Sequence, residues 1–312
     1  MPQTIEVFGR VADNVERVII GKRETVGLTL ISLICEGHVL IEDVPGVGKT
    51  ALVSAIAKSL DARFRRVQFT PDLLPSDITG FSLFNPKSGE FEYREGAVMC
   101  NILLADEINR TSPKTQSSLL EAMEEKQVTV DGITHTIPKP FLVLATENPV
   151  EYLGTHPLPE AQMDRFFMRV SLGYPDAAQE NEILSTYRIE NPLDALEAVA
   201  SVDDILDAQR NVREIHVSPD VSGYIVSLVR ATRANEYVLL GASPRGSLYL
   251  YRAAQAVALL SGRDYVVPDD VKKILLPVLA HRISLRPEAR QKKVTAADIL
   301  GAIVKGTRVP VK

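Results

Sequence analysis

A chain of 312 residues, 45% hydrophobic and 24% charged, has enough apolar material for a large core and enough length for two domains. Its net charge of -5 and pI of about 5.7 argue against a constitutive nucleic-acid binder, which would carry a concentrated basic surface. Cys35 and Cys100 sit in apolar runs and read as buried reduced thiols, the five histidines lack metal-ligand spacing, and no apolar run approaches the ~20 residues of a membrane span. The opening "MPQTIEVFGR" lacks the apolar core of a signal peptide, so a soluble cytoplasmic protein without membrane insertion is expected.

Short apolar runs alternate with amphipathic stretches as far as about Pro175. "HVLIE" (38–42), "RRVQF" (65–69), "NILLAD" (101–106), "FLVLAT" (141–146) and "FMRVSL" (167–172) read as buried strands. "TALVSAIAKSL" and "PKTQSSLLEAMEEK" between them have helical period, so the expected fold is α/β, a parallel sheet flanked by helices. Two excursions interrupt the alternation. One lies at about 76–98, where "FSLFNPKSGEFEYREGAV" carries Asn-Pro and Ser-Gly turn signals. The other, at about 126–137, is a hairpin pattern around Asp131-Gly132. From about Asn191 the period is almost wholly helical, with Ser218, Ser243 and Thr295 where helix N-caps belong. An α/β core over 1–190 and a smaller all-helical domain over 191–312 are expected.

The chemistry begins at "EDVPGVGKTA". A buried strand that ends in a glycine-rich turn before a helix leaves unpaired N–H groups aimed at one spot, and the helix dipole makes that spot a phosphate site. Pro45, Gly46, Val47, Gly48, Lys49, Thr50 and Ala51 would form this cradle. Lys49 would reach the β- and γ-phosphates, and the Thr50 hydroxyl would bind Mg²⁺. The usual phosphate-loop pattern has glycine where this chain has Asp43. Aspartate tolerates turn and left-handed conformations, so Asp43 is expected to fill a turn and play no catalytic part.

"ILLADE" ends an apolar strand in two carboxylates: Asp106 would hold Mg²⁺ through water, and Glu107 would polarise the attacking water. "FLVLATENP" places Asn148 at the tip of the next strand, where an amide can orient that water. A turn-forming asparagine before Pro149 is the plainer alternative. Three successive strands thus end in suitable chemistry at one edge, where open α/β sheets bind ligands.

The order of "PGVGKT", "LLADEINR", "ATENP", "EAQMDRF" and "SPRG" resembles the MoxR group of AAA+ ATPases, a helix-2-insert clade, over roughly Val18 to Lys305. "QFTPDLLPSDITG", "DEINRTSPKTQSSLLEAMEEKQVTVDG" and "LPEAQMDRF" are close to signatures of that group. The resemblance implies that "VIIGK" packs against adenine through Ile19, Ile20 and Gly21, although Gly21 would equally serve as a helix terminator. It implies that Arg165 is an arginine finger entering a neighbouring subunit's site, and that Arg245 is a lid arginine acting in cis. Arg110 is divided between a neighbouring site and a local structural role. The two excursions would be the helix-2 insert and the hairpin before the first sensor, both facing the ring pore or a partner; either could also be an inert surface hairpin.

The function so implied is Mg²⁺-dependent hydrolysis of ATP to ADP by a ring, expected to be a hexamer. That ring would mature or activate a client protein complex, with a von Willebrand factor A domain protein as a partner. A DNA-remodelling motor and a nucleotide-binding scaffold without turnover are the alternatives. The acidic chain and absent nucleic-acid module weigh against the first; Asp106, Glu107 and Asn148 weigh against the second.

Overall fold

The computed structural model describes residues 2–148, 155–188 and 190–310. Among the described residues, nine strands occur before residue 171: β1 (Val39–Glu42), β2 (Phe64–Gln68), β3 (Gly80–Asn85), β4 (Glu90–Glu95), β5 (Ile102–Asp106), β6 (Gln127–Val130), β7 (Ile133–Thr136), β8 (Leu142–Glu147) and β9 (Met168–Val170). Five of them form one sheet in the order β2-β5-β8-β1-β9, and every pairing in it is parallel. The expected α/β class is observed. The strands lie where the apolar runs placed them, within two residues at each boundary.

Seven α-helices accompany these strands among the described residues: α1 (Pro2–Glu16), α2 (Arg23–Ile34), α3 (Lys49–Ser59), α4 (Pro75–Thr79), α5 (Pro113–Glu125), α6 (Glu160–Met163) and α7 (Ala177–Thr186). Side chains on the sheet alternate between two apolar layers, as the period of two in a strand requires. Val39, Ile41, Ile102, Leu104, Leu142 and Leu144 enter one layer. Leu40, Leu103, Ala105, Val143 and Ala145 enter the other, against Leu119 and Met123 of α5. The run "RRVQF" departs from expectation. It forms β2, an edge strand whose residues are half-buried or exposed, because only one neighbour and one covered face are available to it.

The remainder is helical: α8 (Val202–Asn211), α9 (Pro219–Ala234), α10 (Pro244–Leu260), α11 (Pro268–Leu279), α12 (Pro287–Gln291) and α13 (Ala296–Gly306), with a short pair β10 (Val238–Leu240) and β11 (Ser284–Leu285). Ser218, Ser243 and Thr295 each cap a helix by accepting a hydrogen bond from Val221, Arg245 and Asp298 N–H, as expected. The buried residues of this part, such as Leu228, Leu250 and Ile274, belong to the same apolar cluster as Val11, Leu30 and Ile34 of α1 and α2. The helical part therefore has no separate core. It is packed against the amino-terminal helices and β9, and that docking fixes where its arginines lie.

Both excursions are antiparallel hairpins, β3–β4 and β6–β7. Asp131 (φ 50°) and Gly132 (φ 80°) are both left-handed, the geometry that a two-residue hairpin turn demands. The two hairpins touch: the Tyr93 and His135 rings stack at 3.7 Å with planes 12° apart.

Candidate active site at the two edges of the sheet

β1 delivers the cradle. Gly46 (φ 85°) and Gly48 (φ 94°) are left-handed, and a Cβ built on Gly46 would meet nothing within 4 Å. The loop thus leaves free space beside Gly46. Lys49 begins α3 and donates from Nζ to the Asp43 carbonyl oxygen at 2.9 Å. A cavity of about 420 Å³ is lined by Pro45, Gly46, Gly48, Lys49, Thr50, Ala51, Arg66, Asp106, Glu107 and Asn148. The cradle, the acidic pair and Asn148 are therefore brought together as expected; Pro149 lies outside the described residues.

The acidic pair is held by neighbours. Thr146 on β8 donates to Asp106 Oδ1 at 2.6 Å and accepts from the Glu107 N–H at 2.8 Å. Glu107 has a left-handed backbone, φ 56° and ψ 52°, a cost that is tolerated where surrounding bonds enforce it. Gln68 Nε2 and Arg110 Nη1 donate to Glu107 Oε2 at 2.6 and 3.0 Å. Arg110 thus makes a local contact with the acidic pair. Arg66 Nη2 lies 2.7 Å from Asp106 Oδ2. Arg66 and Gln68 share one face of β2, two residues apart, so each reaches one member of the pair. The hydroxyl of Thr50 and the carboxylate of Asp106 are hard oxygen donors of the type Mg²⁺ prefers, and the glycine-rich cradle fits phosphate.

Asp43 corrects the expectation placed on it. Its φ is not left-handed, and its side chain is buried rather than turned to solvent. Asp43 Oδ2 accepts hydrogen bonds from Ser171 Oγ at 3.0 Å, Gly173 N–H at 3.0 Å and Leu172 N–H. The carboxylate pins the start of the cradle to the segment after β9. The next strand end holds a second unforeseen group. Glu147 faces Glu42 across β1 and β8, while Glu42 pairs with Arg169 at 2.6 Å. Burial and the Glu42 charge push the Glu147 carboxyl up to about 7, against the pull of Arg169.

A smaller cavity of about 240 Å³ adjoins the cradle. Ile19 and Ile20 line one side, together with Val47, while Pro175, Ile183 and Tyr187 line the other. Gly21 terminates the turn before α2 with φ 70°, and a Cβ there would sit 2.2 Å from Gln179 Nε2. Glycine is thus favoured there by the left-handed backbone, while the Gln179 side chain is flexible enough to swing aside.

The two arginines assigned by resemblance lie elsewhere. Arg165 precedes β9 and Arg245 opens α10; both contact Glu124 near the end of α5, Arg165 Nε at 3.2 Å and Arg245 Nη2 at 2.6 Å. They line a cavity with Glu36, Gly37 and His38, at the amino edge of the sheet. At about 3.3 Å per residue, a five-residue strand such as β5 separates the two edges by roughly 16 Å, further than an arginine side chain spans. Arg245 therefore does not reach its own cradle, and the expectation that it acts in cis is corrected. The cause is the docking of α10. Asp164 Oδ2 accepts from Ser243 Oγ at 2.8 Å, and Asp164 Oδ1 accepts from the buried Arg282 Nε at 2.9 Å. His38 secures α5 from the other side. Its Nδ1 accepts from Val143 N–H at 3.0 Å, which leaves Nε2–H to donate to Met123 O at 3.1 Å. Burial lowers this imidazole to about 4, so it stays neutral.

The residues that sequence reasoning missed are Arg66, Gln68, Glu124, Thr146, Glu147, Asp164 and Tyr187. Only the polar residues of "FRRVQ", Arg65, Arg66 and Gln68, odd in a strand expected to be buried, gave a signal.

Residues 38–168 match a family model described as ATPase family associated with various cellular activities (AAA), and residues 230–303 match the AAA lid domain. The chain is 52% identical to the uncharacterized protein YeaC of Bacillus subtilis, over 98% of this chain and 96% of that one. It is 39% identical to the chaperone MoxR1 of Mycobacterium tuberculosis, over 98% of this chain and 83% of that one. A solved structure from Cytophaga hutchinsonii, described as a candidate ATPase, superposes with a TM-score of 0.91 at 39% identity, covering 99% of this chain and 96% of that one. With these likenesses spanning both the sheet and the helical lid, the chain belongs to the MoxR group of AAA ATPases.

Proposed function

We propose that the protein is an ATPase whose hydrolytic site is completed between subunits, and that it uses turnover to remodel or activate a protein complex. The observation that carries this reading is the convergence of three strand ends, β1, β5 and β8, on one cavity lined by Lys49, Thr50, Asp106, Glu107 and Asn148. The cradle amides and Lys49 would hold the phosphates, with Ile19, Ile20 and Tyr187 beside the base. Thr50 and Asp106 would hold Mg²⁺, which supplies positive charge against the phosphate oxygens when bound. Glu107, released from Gln68 and Arg110, would polarise the attacking water, and Asn148 would orient it.

Arg165 and Arg245 would both enter the neighbouring subunit's cradle. Glu124 keeps the two guanidiniums together at the edge opposite their own site, which is why a ring, expected to be a hexamer, is the active form. An arginine supplied in trans typically contributes ~10³–10⁵ in rate. The core over 1–190 and the lid over 191–312 would then shift against each other during turnover, with Asp164 and Arg282 at the joint. The likeness to a protein named chaperone supports a protein client, and a von Willebrand factor A domain protein is a suitable partner; the setting would be cytoplasmic. The stacked hairpins β3–β4 and β6–β7 would carry the motion to the client.

Two substitutions test the site. Lys49→Ala should weaken ATP binding strongly in calorimetry, whereas Glu107→Gln should retain ATP and release almost no phosphate. Full phosphate release by Glu107→Gln would overturn the assignment of the base.

A further inference from the structure

With Arg245 at the far edge, the cradle lacks the lid arginine that would have supplied a second cation to its own nucleotide. A different cation is already there. Arg66 projects from edge strand β2 into the same cavity as Lys49, Thr50 and Asp106. Its side chain is about half exposed (48%), and its Nη2 rests 2.7 Å from Asp106 Oδ2. A weak contact to Gln68 Oε1 at 3.4 Å is its other polar contact within the site.

That position is paradoxical for a purely structural ion pair. Asp106 is the carboxylate best placed to share a metal ion with Thr50, and one Asp106 oxygen is already committed to Thr146. The remaining oxygen cannot serve a guanidinium and the metal shell equally well. When a metal–nucleotide complex claims it, the Arg66 guanidinium loses that partner. Its backbone is fixed in the sheet, so the guanidinium stays within reach of the same cavity, where another anion can take the carboxylate's place. The terminal phosphate is the anion nearest the metal, and its planar oxygen pairs match the guanidinium fork.

We propose that Arg66 is a cis ligand of the terminal phosphate, resting on Asp106 without nucleotide and exchanging that carboxylate for phosphate when a nucleoside triphosphate binds. The exchange keeps the guanidinium paired with an anion in both states. A diphosphate lacks the group that Arg66 would grasp. Arg66 therefore makes the site discriminate triphosphate from diphosphate before any neighbouring subunit arrives. This inference rests on the reading of the cavity as a Mg²⁺–ATP site.

The test is nucleotide affinity of the purified chain, measured by calorimetry with ATP and ADP, each with Mg²⁺, for wild type, Arg66→Ala and Arg66→Lys. Arg66→Ala should lose roughly tenfold in ATP affinity, the scale of one charge-assisted hydrogen bond, with ADP affinity nearly unchanged. Arg66→Lys should fall between, since it keeps charge without the fork. Equal changes for both nucleotides, or no change for either, would overturn the proposal and leave Arg66 as a support for Asp106. Failure of the underlying reading looks different: wild type would then bind neither nucleotide.

Discussion

The two edges of the central sheet carry opposite chemistry. At the carboxyl edge, β1, β5 and β8 end in a glycine-rich loop, two carboxylates and an amide side chain around one cavity, the proposed phosphate site. At the amino edge, Glu124 gathers Arg165 and Arg245 into a half-exposed pair. Each edge lacks what the other holds. One has the glycine-rich loop and the acidic pair; the other has two arginines held on Glu124. A single chain does not bring them together across its own sheet; in the proposed assembly a second copy turned head to tail would, and repetition of that contact would close a ring where the rotation closes.

The largest expected effect comes from emptying the amino edge. Arg165→Ala with Arg245→Ala should lower turnover of the assembled protein by at least ~10³, while ATP affinity of the isolated chain stays near wild type. Loss of ATP affinity in the isolated chain would place an arginine in its own cradle and break the comparison.

The carboxyl edge is tested next through Asp43. Its carboxylate accepts from Ser171, Leu172 and Gly173, so Asp43→Gly strands two backbone donors and frees the start of the cradle. A stability loss of about 3 kcal/mol and weaker nucleotide binding are expected, by denaturant melts and calorimetry. Full retention of both would return Asp43 to the status of a turn residue.

The contrast between the edges also marks what the sequence could show. Strand ends are local: an apolar run followed by "PGVGKT" or "DE" declares both the strand and its chemistry. The Asp131-Gly132 turn and the caps Ser218, Ser243 and Thr295 were legible for the same reason. The side of the sheet on which Arg245 lies is not local. It follows from Asp164 bonding Ser243 and Arg282, residues about 80 and 118 positions away, and from a lid that shares its apolar cluster with α1 and α2. Asp43 hides its role likewise, since its partners lie about 130 positions downstream. Edge strand β2 was misjudged as buried because apolar period does not reveal which strand has only one neighbour.

A smaller effect is expected from Glu124→Gln. The amide can still accept a hydrogen bond, but the arginine pair loses its shared counter-charge. Turnover of the assembled protein should fall roughly threefold to tenfold with ATP affinity unchanged. An unchanged rate would mean that the pair orders itself on the neighbour's phosphate without help.

The smallest effect belongs to Glu147. Its carboxyl is raised from 4.5 to about 7 in the folded chain, mainly by burial. The protonated form is therefore favoured by folding. Its contribution is complete below about pH 4.5 and disappears as pH rises through about 7. Glu147→Gln should raise the melting temperature by a few degrees at pH 8, with the gap closing below pH 5. An equal gap at both pH values would remove Glu147 as the cause.

The central claim is that one active site draws on both edges, from two subunits. Subunits with Arg165→Ala and Arg245→Ala keep an intact cradle, and subunits with Lys49→Ala and Glu107→Gln keep intact arginines. Each preparation alone should be nearly inactive. Mixed and reassembled, they should recover phosphate release, because some interfaces then join a sound cradle to a sound arginine pair. No recovery at any mixing ratio, with mixed assembly confirmed, would contradict the account.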